Sequence, residues 1–141
     1  MKPFVFELEK LLDLRKYYED EAKIELGRAV GVLTELEGKI RALAVERVQA
    51  AAAQFRPGNG AIEIQQYMYY LLRLDNTKDL LLREAAMAEM KVEEAREAFL
   101  ETSRERKVLD NLKEKKQKEY RKLKLNEETK VLDDIRYKIT A

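Results

Sequence analysis

The chain has 141 residues, with 28 Lys and Arg against 27 Asp and Glu, and no Cys, His or Trp. Charged residues make up 39% and apolar residues 45%, which excludes a disordered tail and favours long amphipathic helices. Without Cys or His there can be no Cys/His zinc site, disulfide framework, Cys–His dyad or Ser–His–Asp triad. The single serine, Ser103, lies within a charged helical pattern, so the expectation is a non-enzymatic protein without cofactor or metal.

Taken in chain order, Pro3 suits a first helical position, where a missing N–H costs nothing. Glu7 and Glu9 interrupt the start before any apolar signal region can form, and no run approaches the ~18 apolar residues of a membrane span. The expectation is a soluble, intracellular protein with no direct membrane insertion. Helix one is predicted over residues 4–55. Its seam runs through Leu8, Leu12, Arg15, Glu19, Ala22, Leu26, Ala29, Leu33, Leu36, Ile40, Leu43, Arg47 and Ala50, apolar at ten of thirteen positions.

Arg56-Pro57-Gly58-Asn59-Gly60 is a loop by its proline and glycine chemistry. Beyond it, helix two is predicted over 61–139 with neither Pro nor Gly. Its seam holds Ile64, Tyr67, Leu71, Leu74, Lys78, Leu81, Ala85, Ala88, Val92, Ala95, Phe99, Thr102, Arg106 and Leu109, apolar at eleven of fourteen. The fold class is therefore all-α: one long antiparallel two-helix coiled-coil hairpin over residues 1–141, with the longer helix second. A homodimer of uninterrupted single helices is the rival, and the clustered breakers argue against it. A turn centred near residue 58 sets Leu8 opposite about residue 108 and leaves about thirty residues of helix two as an overhang. There the seam changes phase: Leu109 and Leu112 fit one stripe, while Leu125, Leu132, Ile135 and Ile139 fit another.

Apolar residues outside the seam are the more informative ones. Tyr69, Leu72, Leu80, Met87 and Met90 fall at outward heptad positions, next to Tyr67, Met68 and Tyr70. An exposed apolar stripe marks a protein contact, and Met adapts to partner surfaces; the alternative is scattered surface residues. Near the start, Leu14, Tyr17 and Ile24 also project outward beside Phe4, Phe6 and Leu11, to meet either the overhang or another molecule. Gly27, Gly31 and Gly38 occupy outer positions at about 1 kcal/mol each relative to Ala, permitting close approach of a partner or leaving the stretch pliable.

Charge is graded along the chain. Residues 1–60 balance to zero, 61–103 carry −4 and 104–141 carry +5. Lys113-Glu114-Lys115-Lys116-Gln117-Lys118 centres the basic stretch, but its lysines are interleaved with glutamates at helix-pair spacing. No groove-reading module accompanies them, so no nucleic-acid partner is expected; a basic helical end suits an acidic protein cleft. Glu127/Glu128 and Asp133/Asp134 diverge around a helix, and no metal site is expected.

The opening Phe4-x-Phe6-x-Leu8-x-x-Leu11-Leu12-x-Leu14-Arg15, with Glu19, Glu21-Ala22 and Leu26, resembles the N-terminus of FliJ proteins of the bacterial flagellar export apparatus. Arg106-Lys107-Val108-Leu109-Asp110-x-Leu112-x-Glu114-Lys115, Tyr120 and Leu132-Asp133-Asp134-Ile135 are similar to that family's C-terminal pattern. The resemblance implies an antiparallel coiled coil like the central stalk of rotary ATPases, in the bacterial cytoplasm and peripheral at the flagellar base. Its implied partners are the hexameric flagellar export ATPase, whose ring assembly it favours, and the cytoplasmic domain of the export gate membrane protein; some members also engage substrate chaperones. On that footing Phe4, Phe6, Leu14, Arg15, Tyr120, Leu132, Ile135 and Tyr137 are the expected ATPase-binding residues. Tyr67, Tyr69, Tyr70, Leu72 and Leu80 are the expected gate- or chaperone-binding residues. The alternatives are the stalk subunit of a virulence type III system, an autonomous coiled-coil scaffold, and a nucleic-acid-binding helix pair.

Overall fold

Breaker residues decide where the helices stop. In a computed structural model, which describes residues 2–140, the chain forms α1 (Glu9–Gln54) and the longer α2 (Ala61–Thr140), packed against each other as an antiparallel hairpin. Between them Arg56–Asn59 makes a β-turn, with the Asn59 amide donating to the Arg56 carbonyl at 3.2 Å. Pro57 supplies the fixed φ of its second position, and Gly58, at φ 97°, the left-handed third position. The Asn59 side-chain amide reaches back to the carbonyls of Ala53 and Gln54, at 2.9 and 3.1 Å, and so caps α1. Gly60 precedes α2, and its N–H donates to the Glu63 carboxylate at 2.9 Å, the backbone half of a capping box.

Packing divides the chain into two units. The first combines the described parts of Met1–Glu21 and Leu100–Ala141. Its core holds Phe6, Leu12 and Leu109, with Phe4 and Leu112 against them; Leu12 is 0% exposed. Here helix one begins at Glu9, not near residue 4 as Pro3 suggested. The reason is side-chain direction. In a helix Phe4 and Phe6 would point to different sides, whereas extended backbone sends residues i and i+2 the same way. The segment before Leu8 is not helical, so both rings bury against α2.

The second unit, Ala22–Phe99, contains the turn. Leu36, Ala85 and Ala88 form its buried cluster, lined by Leu33, Ile40 and Leu81. The seams drawn from the sequence are the covered stripes: among the residues of this unit that the seams include, only Arg47 and Lys78 are exposed. Arg47 still crosses to Asp75, at 2.7 and 3.3 Å.

The pairing register differs from the expected one. Glu9 pairs with Lys113, not with a residue near 108, and the midpoint between those two is residue 61. Fewer residues of α2 than expected lie beyond the paired part: the N-terminal segment covers α2 as far as Tyr120, and the fully exposed stretch begins at Arg121.

Candidate functional site

Two surfaces contain the residues singled out from the sequence. In the first unit, the N-terminal segment is clasped onto α2. The rings of Phe4 and Tyr120 meet at 5.6 Å between centroids, tilted by 53°, and the Tyr120 hydroxyl donates to the Lys2 carbonyl at 2.5 Å. Phe6 is only 8% exposed and belongs to the core. Arg15 is ion-paired with Glu105 across the seam. Phe4, Phe6 and Tyr120 are therefore brought together at the N-terminal segment, Arg15 bridges to Glu105 elsewhere along α2, and all four hold the unit closed.

The remaining residues of that set stay open. Leu14 is exposed on α1. Every described residue from Arg121 to Thr140 is exposed, including Leu132, Ile135 and Tyr137, the last at 74%. Apolar side chains at Leu125, Leu132, Ile135 and Ile139 thus line a helical stretch with no core of its own.

Next to this clasp lies a polar layer that no candidate set included. Glu19 accepts from the Ser103 hydroxyl at 2.6 Å and from the Arg106 Nε at 2.8 and 2.9 Å, and Arg106 also donates to Asp110. The Ser103 hydrogen bond, then that of Arg106, holds the Glu19 carboxyl below its ordinary range despite partial desolvation. Arg106 is correspondingly raised by Glu19 and then Asp110. The sequence did carry a signal: Arg15, Glu19 and Arg106 are charged residues at seam positions, where an unpaired charge would be costly.

In the second unit, Tyr69, Leu72 and Leu80 are each 57% exposed, and Met87 and Met90 are exposed with them. Tyr67 and Tyr70 do not share that stripe. Tyr67 is a half-covered seam residue, and the Tyr70 hydroxyl donates to Glu46 across the hairpin. The outward set thus narrows to Tyr69, Leu72 and Leu80. No cluster of acidic side chains suited to a metal ion occurs among the described residues, and no helix there is long and apolar enough to cross a membrane.

No curated protein and no solved structure matches the chain. A family model does: the one described as "Flagellar FliJ protein" matches residues 4–138, from the clasped N-terminal segment almost to the end of α2. The chain belongs to the FliJ family of flagellar proteins.

Proposed function

We propose that the protein is a stalk-like coiled coil of the export ATPase, binding its hexamer, favouring ring assembly and linking it to the cytoplasmic domain of the export gate. Family membership makes it a component of the flagellar type III export apparatus. The observation that carries the finer reading is the exposed helical stretch of residues 121–140, with its uncovered Leu125, Leu132, Ile135 and Ile139, rooted in a unit closed by Phe4, Phe6, Arg15 and Tyr120. A helix that displays Leu132, Ile135 and Tyr137 without burying them is suited to entering a complementary cleft, and the basic balance of this region favours an acidic one. Leu14, exposed on α1 beside Arg15, is assigned to the same partner, while Phe4, Phe6, Arg15 and Tyr120 hold the unit closed. Tyr69, Leu72 and Leu80 are assigned to the gate or to substrate chaperones, with Tyr67 and Tyr70 shaping the helix pair behind them.

The test is titration of the full chain into its cognate flagellar export ATPase, following hydrolysis rate and hexamer content together. A saturable rise in both is expected, lost when residues 121–141 are removed. That truncation spares Tyr120 and every cross-helix contact described above, so the rest of the protein should keep its helicity. Unchanged stimulation by the truncated chain would overturn the assignment of the contact to this helix.

A further inference from the structure

A groove of about 620 Å³ runs along one side of the second unit. Its floor exists because the seam there carries Ala29, Ala88 and Ala95, whose short side chains leave space beside the helix pair. Two exposed apolar residues rise at its walls, Val32 from α1 at 54% and Met87 from α2 at 63%. The remaining wall positions are charged. On α1 they read Glu25, Arg28, Glu35 and Lys39; on α2 they read Glu84 and Lys91.

These charges are arranged with opposite signs about one level on each helix. On α1, Glu25 and Lys39 are equidistant from Val32, and Arg28 and Glu35 are centred next to it. On α2, Glu84 and Lys91 are centred beside Met87. A two-fold axis crossing the groove at Val32 and Met87 therefore lays a second hairpin over the first with like helices antiparallel. Glu25 then faces the other copy's Lys39, Arg28 its Glu35, and Glu84 its Lys91, each pair occurring twice.

We infer that this groove is a self-association surface whose occupant is the groove of a second copy of the chain, in an antiparallel, isologous arrangement. Under this one rotation every acid faces a base. On α1 the same side chains already pair within the helix, Glu25 with Arg28 and Glu35 with Lys39, whereas Glu84 and Lys91 have no ion pair among the described residues and gain one. Complementarity of this kind fixes register and orientation, while Val32 and Met87 contribute the apolar contact.

Sedimentation equilibrium of the intact protein tests it, with Glu84→Lys and Lys91→Glu as variants. Both side chains are exposed and, among the described residues, have no ion pair across the hairpin, so circular dichroism should report unchanged helicity. The wild type is expected to dimerise with increasing concentration, and more weakly in high salt. Either single variant sets like charges opposite each other twice, and should raise the dimer dissociation constant by roughly tenfold or more. An equimolar mixture of the two variants restores opposite charges in the heterodimer, and should recover association that neither shows alone. A wild type that stays monomeric at hundreds of micromolar, single variants that dimerise as the wild type does, or a mixture that recovers nothing would each overturn the inference.

Discussion

Glu19 and Arg106, 87 positions apart in sequence, meet side by side in the seam with carboxylate and guanidinium 2.8 Å apart. Both are mostly covered, at 17% and 24% side-chain exposure. The Ser103 hydroxyl adds a second donor to the carboxylate, so the pair is hydrogen-bonded rather than merely opposite in charge. Its stability depends on Glu19 remaining ionised. Because the folded-state pKa is lowered, the contribution is fully present above the unfolded value near 4.5 and is lost as pH falls through the lowered one. The thermal midpoint of the wild type should therefore drop on acidification below about that pH. Glu19→Gln should be less stable at neutral pH and show a shallower acid decline over the same window; parallel pH profiles for the two would exclude Glu19 as the titrating group.

Leu12→Ala should cost about 2–4 kcal/mol in chemical denaturation, because Leu12 is wholly enclosed between Phe6 and Leu109. Leu132→Ala, on an exposed part of α2, should stay within about 0.5 kcal/mol. Equal losses at the two positions would contradict the division between covered and exposed apolar residues.

The turn offers a backbone test. Gly58→Ala places a Cβ on a residue at φ 97° and should destabilise by about 1 kcal/mol or more, although no neighbouring atom lies close enough to clash. Asn59→Ala should cost about 1 kcal/mol, since the carbonyls of Ala53 and Gln54 lose their side-chain donor. Unfolding midpoints that stay at the wild-type value in both variants would show that this turn is not strained by either change.

The outward residues should separate function from stability. Replacing Leu132, Ile135 and Tyr137 together with Ser should leave the unfolding midpoint nearly unchanged and remove most stimulation of the export ATPase. Replacing Tyr69, Leu72 and Leu80 with Ser should instead preserve that stimulation and weaken affinity for the gate's cytoplasmic domain by roughly tenfold. Calorimetry with each partner distinguishes the two, and loss of both interactions in either variant would mean that the surfaces are not independent.

The seams were legible because an apolar period of 3.5 residues, sustained over many turns, is what paired helices require and strands or loops do not. The outward stripe was legible as what that period left over. Both follow from local pattern. The start of α1 was harder: Pro3 invites a helix, yet Phe4-x-Phe6-x-Leu8 alternates with a period of two, and burial of both rings favours the extended form. Cross-helix partners lie beyond periodicity altogether. A seam position shows that Arg106 faces the opposite helix, but the residue it meets, Glu19, depends on register, which the apolar period leaves open. Among the expected ATPase contacts, Phe6 and Arg15 looked available because aromatic and cationic side chains occur on surfaces and in cores alike. Only the structure distinguishes their supporting positions from the open ones of Leu132 and Tyr137.

The charged layer also has a mechanical meaning. Leucine and alanine seams are forgiving of sliding, because a shift of one heptad replaces one apolar neighbour with another. Seven residues from Glu19 in either direction, however, the seam holds leucine, Leu12 or Leu26. A one-heptad slip would press the Arg106 guanidinium onto hydrocarbon and replace the Ser103 and Arg106 donors of Glu19 with Arg96 and Phe99 or with Asp110 and Lys113, breaking the three-residue arrangement in either direction. Shear along the first unit is thus opposed in both directions by a single detent, whereas small bends that keep Arg106 on Glu19 are not.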